Sequence, residues 1–151
     1  MVAKAAERTN RKTLKGRTLY IPQMAYAGAR LMAACFRSIG VKAVLAPDSD
    51  PETLELGGLH SSGEECLPQR VVLGDFLKVT EARGFDPAKT AFFLPTSAGP
   101  CRFGQYAPLT KKILREMRLP DVLVFSPTSS DGYQGIAASV IRFQRTAWRA
   151  I

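Results

Sequence analysis

The sequence predicts an α/β fold in which about four parallel strands form a Rossmann-like sheet with helices on its flanks. Short apolar runs alternate with longer segments whose apolar residues recur every three or four positions, which is the pattern of repeated βαβ units. Each of the four apolar runs is followed by a proline, which ends strand pairing because it has no N–H to donate. The 151 residues, 46% hydrophobic and 23% charged, suffice for one core and exclude a disordered chain.

The first half of the chain predicts two strands around one helix. The run TLYI, residues 18–21, forms the first strand, and residues 25–39 form a helix that Gly40 ends. Residues 41–46 form the second strand. The following segment is rich in Pro, Gly and Asp and predicts a loop that continues through Gly63.

The second half predicts three more helices and two more strands. Pro68 occupies a position typical of a first helical turn, and the apolar spacing that follows continues to Gly84. The remaining elements are a strand over 90–94, a helix over about 103–117, a strand over 122–126, a loop with Asp131 and Gly132, and a helix from about 136. The last helix shows no stop signal, which predicts a chain that ends before its natural boundary.

The carboxyl edge of the predicted sheet is where function is expected. Because all four strands end at a proline, their exits become loops at one edge of a parallel sheet. Ligands of open α/β sheets bind at that edge, in the crevice where the strand order reverses.

The net charge of +8 is concentrated in the first 17 residues. They hold six basic side chains and one acidic one, so residues 1–17 predict a disordered tail or linker and residues 18–151 the α/β domain. An RNA-binding arm is the alternative for the tail, but the body has no basic stripe interleaved with aromatic residues, so a nucleic-acid partner is not favoured. The sequence has no membrane-spanning run and no secretion signal, which predicts a cytoplasmic protein.

Two of the three cysteines are candidate metal ligands. Cys66 and Cys101 each lie in a Gly/Pro loop directly before a predicted helix, at the expected ligand-binding edge. Free N–H groups and the helix dipole stabilise a thiolate at such a position, and a thiolate is the ligand that soft metals prefer. The alternative, that both cysteines are simply small apolar loop residues, stays open because no CxxC pair is present.

Other chemistry is less well supported by the residues. A phosphatase loop would need an arginine six positions after its cysteine, where Val72 and Ala107 stand instead. The single histidine, His60, favours a solvated loop residue over a catalytic partner of Cys66, and Cys35 lies mid-helix as a core residue. Neither a Walker A sequence nor a GxGxxG motif follows a strand.

Polar residues beside the two cysteines are candidate cofactor contacts. Arg102, Gln105 and Tyr106 lie in the turn after Cys101. Further candidates at strand exits are Thr96, Ser97, Thr128, Ser129 and Ser130, although Ser and Thr are also ordinary turn residues. Each could donate a hydrogen bond to a bound group.

Four segments carry a resemblance to a known family. They are GARLMAACFRSIG, LAPDSDPETLELG, GEECLPQRVVLGD and FLPTSAGPCRFGQY, of which GPCRFGQY is the most specific. In these segments the chain resembles the acyl-CoA dehydratase activase-related family, allied to the 2-hydroxyacyl-CoA (2-hydroxyglutaryl-CoA) dehydratase subunits and the double-cubane cluster proteins. The resemblance covers residues from about 18 to 135, whereas members of that family are usually several times longer.

The resemblance implies an iron–sulfur cluster, of the 4Fe-4S or double-cubane type, in an ATP-coupled system of low-potential electron transfer. Cys66 and Cys101 match the family's loop cysteines, with Arg102, Gln105 and Tyr106 around them. Relatives supply three cysteines per cubane, so the third ligand is expected outside this chain, from the remainder of a longer polypeptide or a second subunit. An ATP-dependent activase domain is the implied partner, while a metal-free interaction or small-ligand module is the alternative function.

Overall fold

The computed structural model describes residues 14–96, 100–127 and 145. Its four strands are β1 (Thr18–Ile21), β2 (Lys42–Leu45), β3 (Thr90–Phe93) and β4 (Leu123–Phe125). Its α-helices are α1 (Tyr26–Ser38), α2 (Pro51–Leu59), α3 (Leu67–Glu81) and α4 (Tyr106–Glu116), and short 3-10 turns span Pro87–Lys89 and Arg102–Gln105. The predicted loop at Asp131 lies outside the described residues, as does the predicted helix from 136 except for Arg145, which is helical.

The strands form one parallel sheet in the order β2-β1-β3-β4. The chain leaves β1 for β2 on one side and later enters β3 on the other, so the strand order reverses between β1 and β3. Helices cover the two faces, which confirms the predicted Rossmann-like α/β fold.

Alternate residues of each strand pack into two separate hydrophobic cores, one on each face of the sheet. Ala91 and Phe93 of β3 pack with α1 on one face, whereas Phe92 of β3 and the following residue, Leu94, pack with α3 and α4 on the other. This alternation follows from the two-residue period of a strand. The second face is the one that concerns the cysteines, because Cys66 packs against its core.

The prolines end strand pairing as predicted. Pro22 follows the last residue of β1 directly, and the N–H groups of Ala46 and Leu94 still donate to strand carbonyls just before Pro47 and Pro95. The residues after each pairing therefore leave the sheet at its carboxyl edge. Both cysteine loops start from this side of the molecule, since α3 and α4 run back toward the opposite edge before β3 and β4 begin.

The last residues of the predicted tail belong to the fold. Leu14 is 5% exposed and packs in the core under α1. The Arg17 guanidinium donates to the carbonyl oxygens of Pro87, Thr90 and Asp121, which lie where β3 and β4 begin. The folded unit consequently starts ahead of Thr18, and residues 1–13 of the predicted tail lie outside the described residues.

The segment from Asp50 to Leu59 is the element that the sequence analysis assigned wrongly. Predicted as loop, it forms α2, which begins in a capping box where the Asp50 carboxylate accepts from the N–H of Thr53 and the Thr53 hydroxyl accepts from the N–H of Asp50. The Lys78 ammonium pairs with Asp50 at 2.7 Å and holds the pKa of that carboxyl below its ordinary value.

Glycines and a buried carboxylate join α2 to α3. A side chain at Gly57 or Gly74 would collide with backbone carbonyls of the facing helix, so the two helices approach as closely as glycine permits. Asp75 on α3 is 2% exposed and accepts hydrogen bonds from the hydroxyls of Ser49 at 2.8 Å and Thr53 at 2.9 Å. The pairing of α2 with α3 in turn fixes the loop that carries Cys66.

Within the part of the chain that the structure describes, no helix has both the length and the apolar character needed to cross a membrane.

Candidate functional site

Cys66 lies where α3 begins. It is the N-cap residue of that helix, with extended backbone, and Pro68 stands in the first turn as the sequence predicted. The residue is partly buried and packs against the core that contains Phe92, Leu94 and Tyr106. Its sulfur is thus held at the positive end of a fifteen-residue helix, near the carboxyl edge of the sheet.

The Tyr106 hydroxyl is the direct hydrogen-bond partner of Cys66. Its oxygen lies 3.0 Å from the Cys66 sulfur, and the tyrosine, at the start of α4, is only 4% exposed. The ring of Phe103 packs edge-on against that of Tyr106 at 5.0 Å and so restrains it. This contact joins the amino-terminal ends of α3 and α4.

The surroundings of Cys66 favour its thiolate. The Tyr106 hydrogen bond has the largest effect and lowers the pKa of the Cys66 thiol, helped by the Gln69 N–H and the charge of Arg102, while burial acts in the opposite direction. Burial raises the pKa of Tyr106, and its contact with Cys66 adds to that shift. The tyrosine therefore stays protonated and donates to a sulfur that is readily ionised.

Cys101 approaches the same tyrosine from the other loop. It is exposed and caps the 3-10 turn Arg102–Gln105, where its sulfur accepts from the Phe103 N–H at 3.5 Å. The sequence predicts a helix that starts near 103, directly after Cys101, but a 3-10 turn intervenes and α4 starts at Tyr106. Cys101 and Tyr106 therefore lie at the two ends of this 3-10 turn.

Arg102 forms a second link between the two cysteine loops. Its guanidinium donates to the backbone carbonyl of Glu64, two residues before Cys66. The Arg102 side chain is therefore bound to the opposite loop, and its positive charge lies close enough to the Cys66 sulfur to lower the pKa of that thiol. Three of the residues predicted from the sequence, Cys66, Arg102 and Tyr106, thus meet in one interaction network.

A groove of about 430 Å³ lies beside this network. Its walls come from both cysteine loops and the start of α4, and they include Glu65, Gln69, Arg102, Gln105 and Leu109. Gln105, predicted as a cofactor contact, is exposed and lines this groove. Glu65, which precedes Cys66, and Arg102, which follows Cys101, belong to its walls, whereas neither cysteine does.

Gln69 is the residue of this region that the sequence analysis missed. It is 5% exposed, yet no described residue makes a hydrogen bond with its side-chain carboxamide. No fully buried side-chain nitrogen or oxygen among residues 14–96 and 100–127 lacks a partner, and Gln69 is one of the residues that line the groove. The one sequence signal for Gln69 is its position three residues after Cys66, where glutamine is typical of a capping box.

The other candidates lie apart from the network or outside the described residues. Cys35 is 4% exposed on α1, which confirms the predicted core position, and His60 is exposed at the end of α2. Thr96 is partly buried where β3 ends. Ser97, Thr128, Ser129 and Ser130 lie outside the described residues.

The donor atoms at Cys66 and Cys101 fit a thiolate-ligated metal group, since the Cys66 thiol has a lowered pKa and the Tyr106 hydroxyl is directed at its sulfur. Two sulfurs are fewer than such a group takes. Among the residues that the structure describes, no group of three or more His, Cys, Asp or Glu side chains could hold a metal ion.

Comparisons of the chain with family models, with curated proteins and with solved structures each found no match.

Replacing Tyr106 with phenylalanine is expected to raise the pKa of the Cys66 thiol, because the hydroxyl that stabilises the thiolate is lost while the ring stays in the core. Alkylation of Cys66 by iodoacetamide at neutral pH should therefore slow, with the rate read by peptide mass spectrometry across a pH series. Cys101 provides an internal reference for reagent access. An unchanged pH profile for Cys66 would contradict the role given to the hydroxyl.

Proposed function

We propose that this chain is an iron–sulfur cluster-binding module of a redox protein related to the 2-hydroxyacyl-CoA dehydratases and their activases. The observation that carries the proposal is the convergence of the two cysteine loops: Tyr106 contacts the Cys66 sulfur at 3.0 Å, and Arg102, next to Cys101, donates to the Glu64 carbonyl, two residues before Cys66.

In this proposal Cys66 and Cys101 ligate the cluster, which supplies one-electron chemistry at low potential. The Tyr106 hydroxyl directs a hydrogen bond at the Cys66 sulfur, and such bonds raise the reduction potential of thiolate-ligated clusters. Arg102 keeps the two loops at a fixed separation through Glu64. The core beneath Cys66 excludes water from one side of the site.

The resemblance in GPCRFGQY supports the wider role in ATP-coupled electron transfer, with an activase domain on a partner or on the remainder of a longer polypeptide. The phosphate-binding motifs of such an ATPase are absent from these 151 residues, so ATP hydrolysis is assigned to the partner. The third thiolate is likewise assigned outside the chain.

Anaerobic reconstitution of the full chain with ferrous iron and sulfide tests the proposal. A small thiol such as 2-mercaptoethanol is added to occupy the coordination positions that the chain leaves free. Iron and acid-labile sulfide are then measured together with the visible charge-transfer absorption. The wild-type chain should gain both and become coloured.

Cys66→Ala and Cys101→Ala should each weaken cluster binding by at least about tenfold, since even outer-shell changes at metal sites have effects of that size. Cys35→Ala is the matched control, because Cys35 is buried in α1 and should leave the iron content unchanged. Iron content that survives both Cys66→Ala and Cys101→Ala would refute the proposal. A chain that stays colourless throughout would favour a metal-free interaction module instead.

A further inference from the structure

A second groove, the β4 groove, lies between α4 and β4, where the described part of the sheet ends. It has a volume of about 290 Å³. Its two basic lining residues are Lys111 and Arg115, and its aliphatic ones are Leu114, Leu119, Val122 and Val124. No described residue of either cysteine loop lines it, so it is separate from the candidate cluster site.

The floor of the β4 groove is aliphatic. Leu114, Val122 and Val124 are 2%, 6% and 5% exposed and belong to the hydrophobic core on the α4 face of the sheet. Leu119 packs against the same core. An aliphatic group of a ligand would displace water from this surface, and each methylene buried there should strengthen binding by about fourfold.

The rim of the β4 groove is positively charged. Lys111 and Arg115 lie one helical turn apart on α4, with Lys111 partly buried and Arg115 exposed. Burial and the neighbouring charge of Arg115 both lower the pKa of Lys111, so the two cations are close enough to repel each other. Among the described residues, no acidic side chain lines the groove, and the nearest one in sequence, Glu116, pairs with Lys112 at 3.7 Å.

The charge and the size of the β4 groove together define a class of ligand. A guanidinium and an ammonium both donate hydrogen bonds to oxyanions, and the forked guanidinium suits a carboxylate or a phosphate. Such a head group would also offset the repulsion between the two cations. The volume lies at the lower end of the range for ligand sites, about 300 to 1,000 Å³, which fits a short chain and excludes a nucleotide coenzyme.

We propose that the β4 groove binds a short aliphatic chain that ends in an oxyanion, with Lys111 and Arg115 on the head group and the aliphatic floor under the chain. A carboxylate and a phosphate monoester share this chemistry. The inference goes beyond the proposed function and does not rest on it, because Cys66 and Cys101 do not line the groove.

Titration of the ¹⁵N-labelled full chain with hexanoate and with hexyl phosphate tests the site. At least one of them should shift the amide signals of Lys111, Arg115 and Val124 to saturation, and the tighter of the two identifies the head group. Its four-carbon homologue should bind about tenfold more weakly, because it buries fewer methylenes. Hexanol, which has the chain without the charge, should also bind at least about tenfold more weakly. Saturation with neither ligand, or equal binding of hexanol, would overturn the inference.

Lys111→Met and Arg115→Met each remove one cation and keep an unbranched side chain. Each should weaken binding of the tighter ligand by about tenfold, since hydrogen bonds to a charged head group are lost. Lys112→Met is the matched control, because Lys112 is the next residue of α4 and does not line the β4 groove. Unchanged affinity in both groove variants, or an equal loss in Lys112→Met, would contradict the proposed site.

Thermal unfolding of the same variants separates binding from folding. Without ligand, Lys111→Met should keep or raise the melting temperature, because it removes one of two like charges one turn apart. The tighter ligand should raise the melting temperature of wild type and raise that of Lys111→Met less. Equal stabilisation of both would overturn the inference. The comparison with hexanol needs no variant, so it decides the question even where a variant folds poorly.

Discussion

Replacing Gly74 with alanine is expected to destabilise the fold by about 3 kcal/mol, the upper end of what overpacking costs. The new methyl group would collide with the Thr53 carbonyl, which is backbone of α2 and cannot rotate away. Relief requires α2 and α3 to separate, and that would also expose the Asp75 carboxylate. Urea unfolding, followed by circular dichroism, measures the loss in the free energy of unfolding.

Gly28→Ala is the matched control for Gly74→Ala. Gly28 also lies within a helix, α1, but a methyl group there would meet only the Ala25 Cβ at 3.7 Å, which is ordinary contact. Alanine has the higher helix propensity, so this variant should be stabilised by about 0.5 to 1 kcal/mol. If both substitutions changed stability alike, the close approach of α2 and α3 would not be the cause.

Asp75→Ala is expected to cost about 2 to 3 kcal/mol, because it leaves the hydroxyls of Ser49 and Thr53 without their buried acceptor. Asp75→Asn keeps an acceptor and a side chain of the same shape, so its cost should be about 1 kcal/mol. Denaturant unfolding of the two variants gives the comparison. Equal losses would show that the volume of the side chain matters and its hydrogen bonds do not.

The free energy of unfolding that Asp75→Asn loses relative to wild type should also depend on pH. Burial raises the pKa of Asp75, so the folded state keeps the proton to higher pH than the unfolded chain, whose carboxyl titrates near 3.8. The stability that protonation contributes is complete below that value and is lost as the pH rises through the folded-state pKa. Because asparagine stays neutral, the difference in free energy of unfolding between wild type and Asp75→Asn should shrink over that rise.

The sheet could be predicted from the sequence because several local signals agree there. Apolar runs, the proline after each run and the glycine that ends α1 all place β1 to β4 and α1 correctly. The helix α2 could not be predicted by the same rules, because the Gly57 and Gly58 pair lowers its helix propensity. Those glycines serve the contact with α3, and that contact cannot be read from local sequence. The capping box at Asp50 was the signal that could have located α2.

The candidate site shows a similar division. Its thiols could be predicted, since the Gly/Pro loops before α3 and α4 marked Cys66 and Cys101. The contact between Cys66 and Tyr106 spans forty residues of sequence and depends on the packing of two helices. The position of Gln69 on the groove depends on the same packing, because α4 supplies a facing wall with Leu109 and Lys112.

The three thiols differ in exposure, so the order in which they react with an alkylating reagent reports which part of the protein has opened. Cys101 is exposed, Cys66 is partly buried and Cys35 is 4% exposed. A brief pulse of an alkylating reagent should label Cys101 first, Cys66 when the ends of α3 and α4 part, and Cys35 only when α1 leaves the sheet. The order of the mass increments would therefore separate local opening at the cysteine loops from global unfolding in a single experiment.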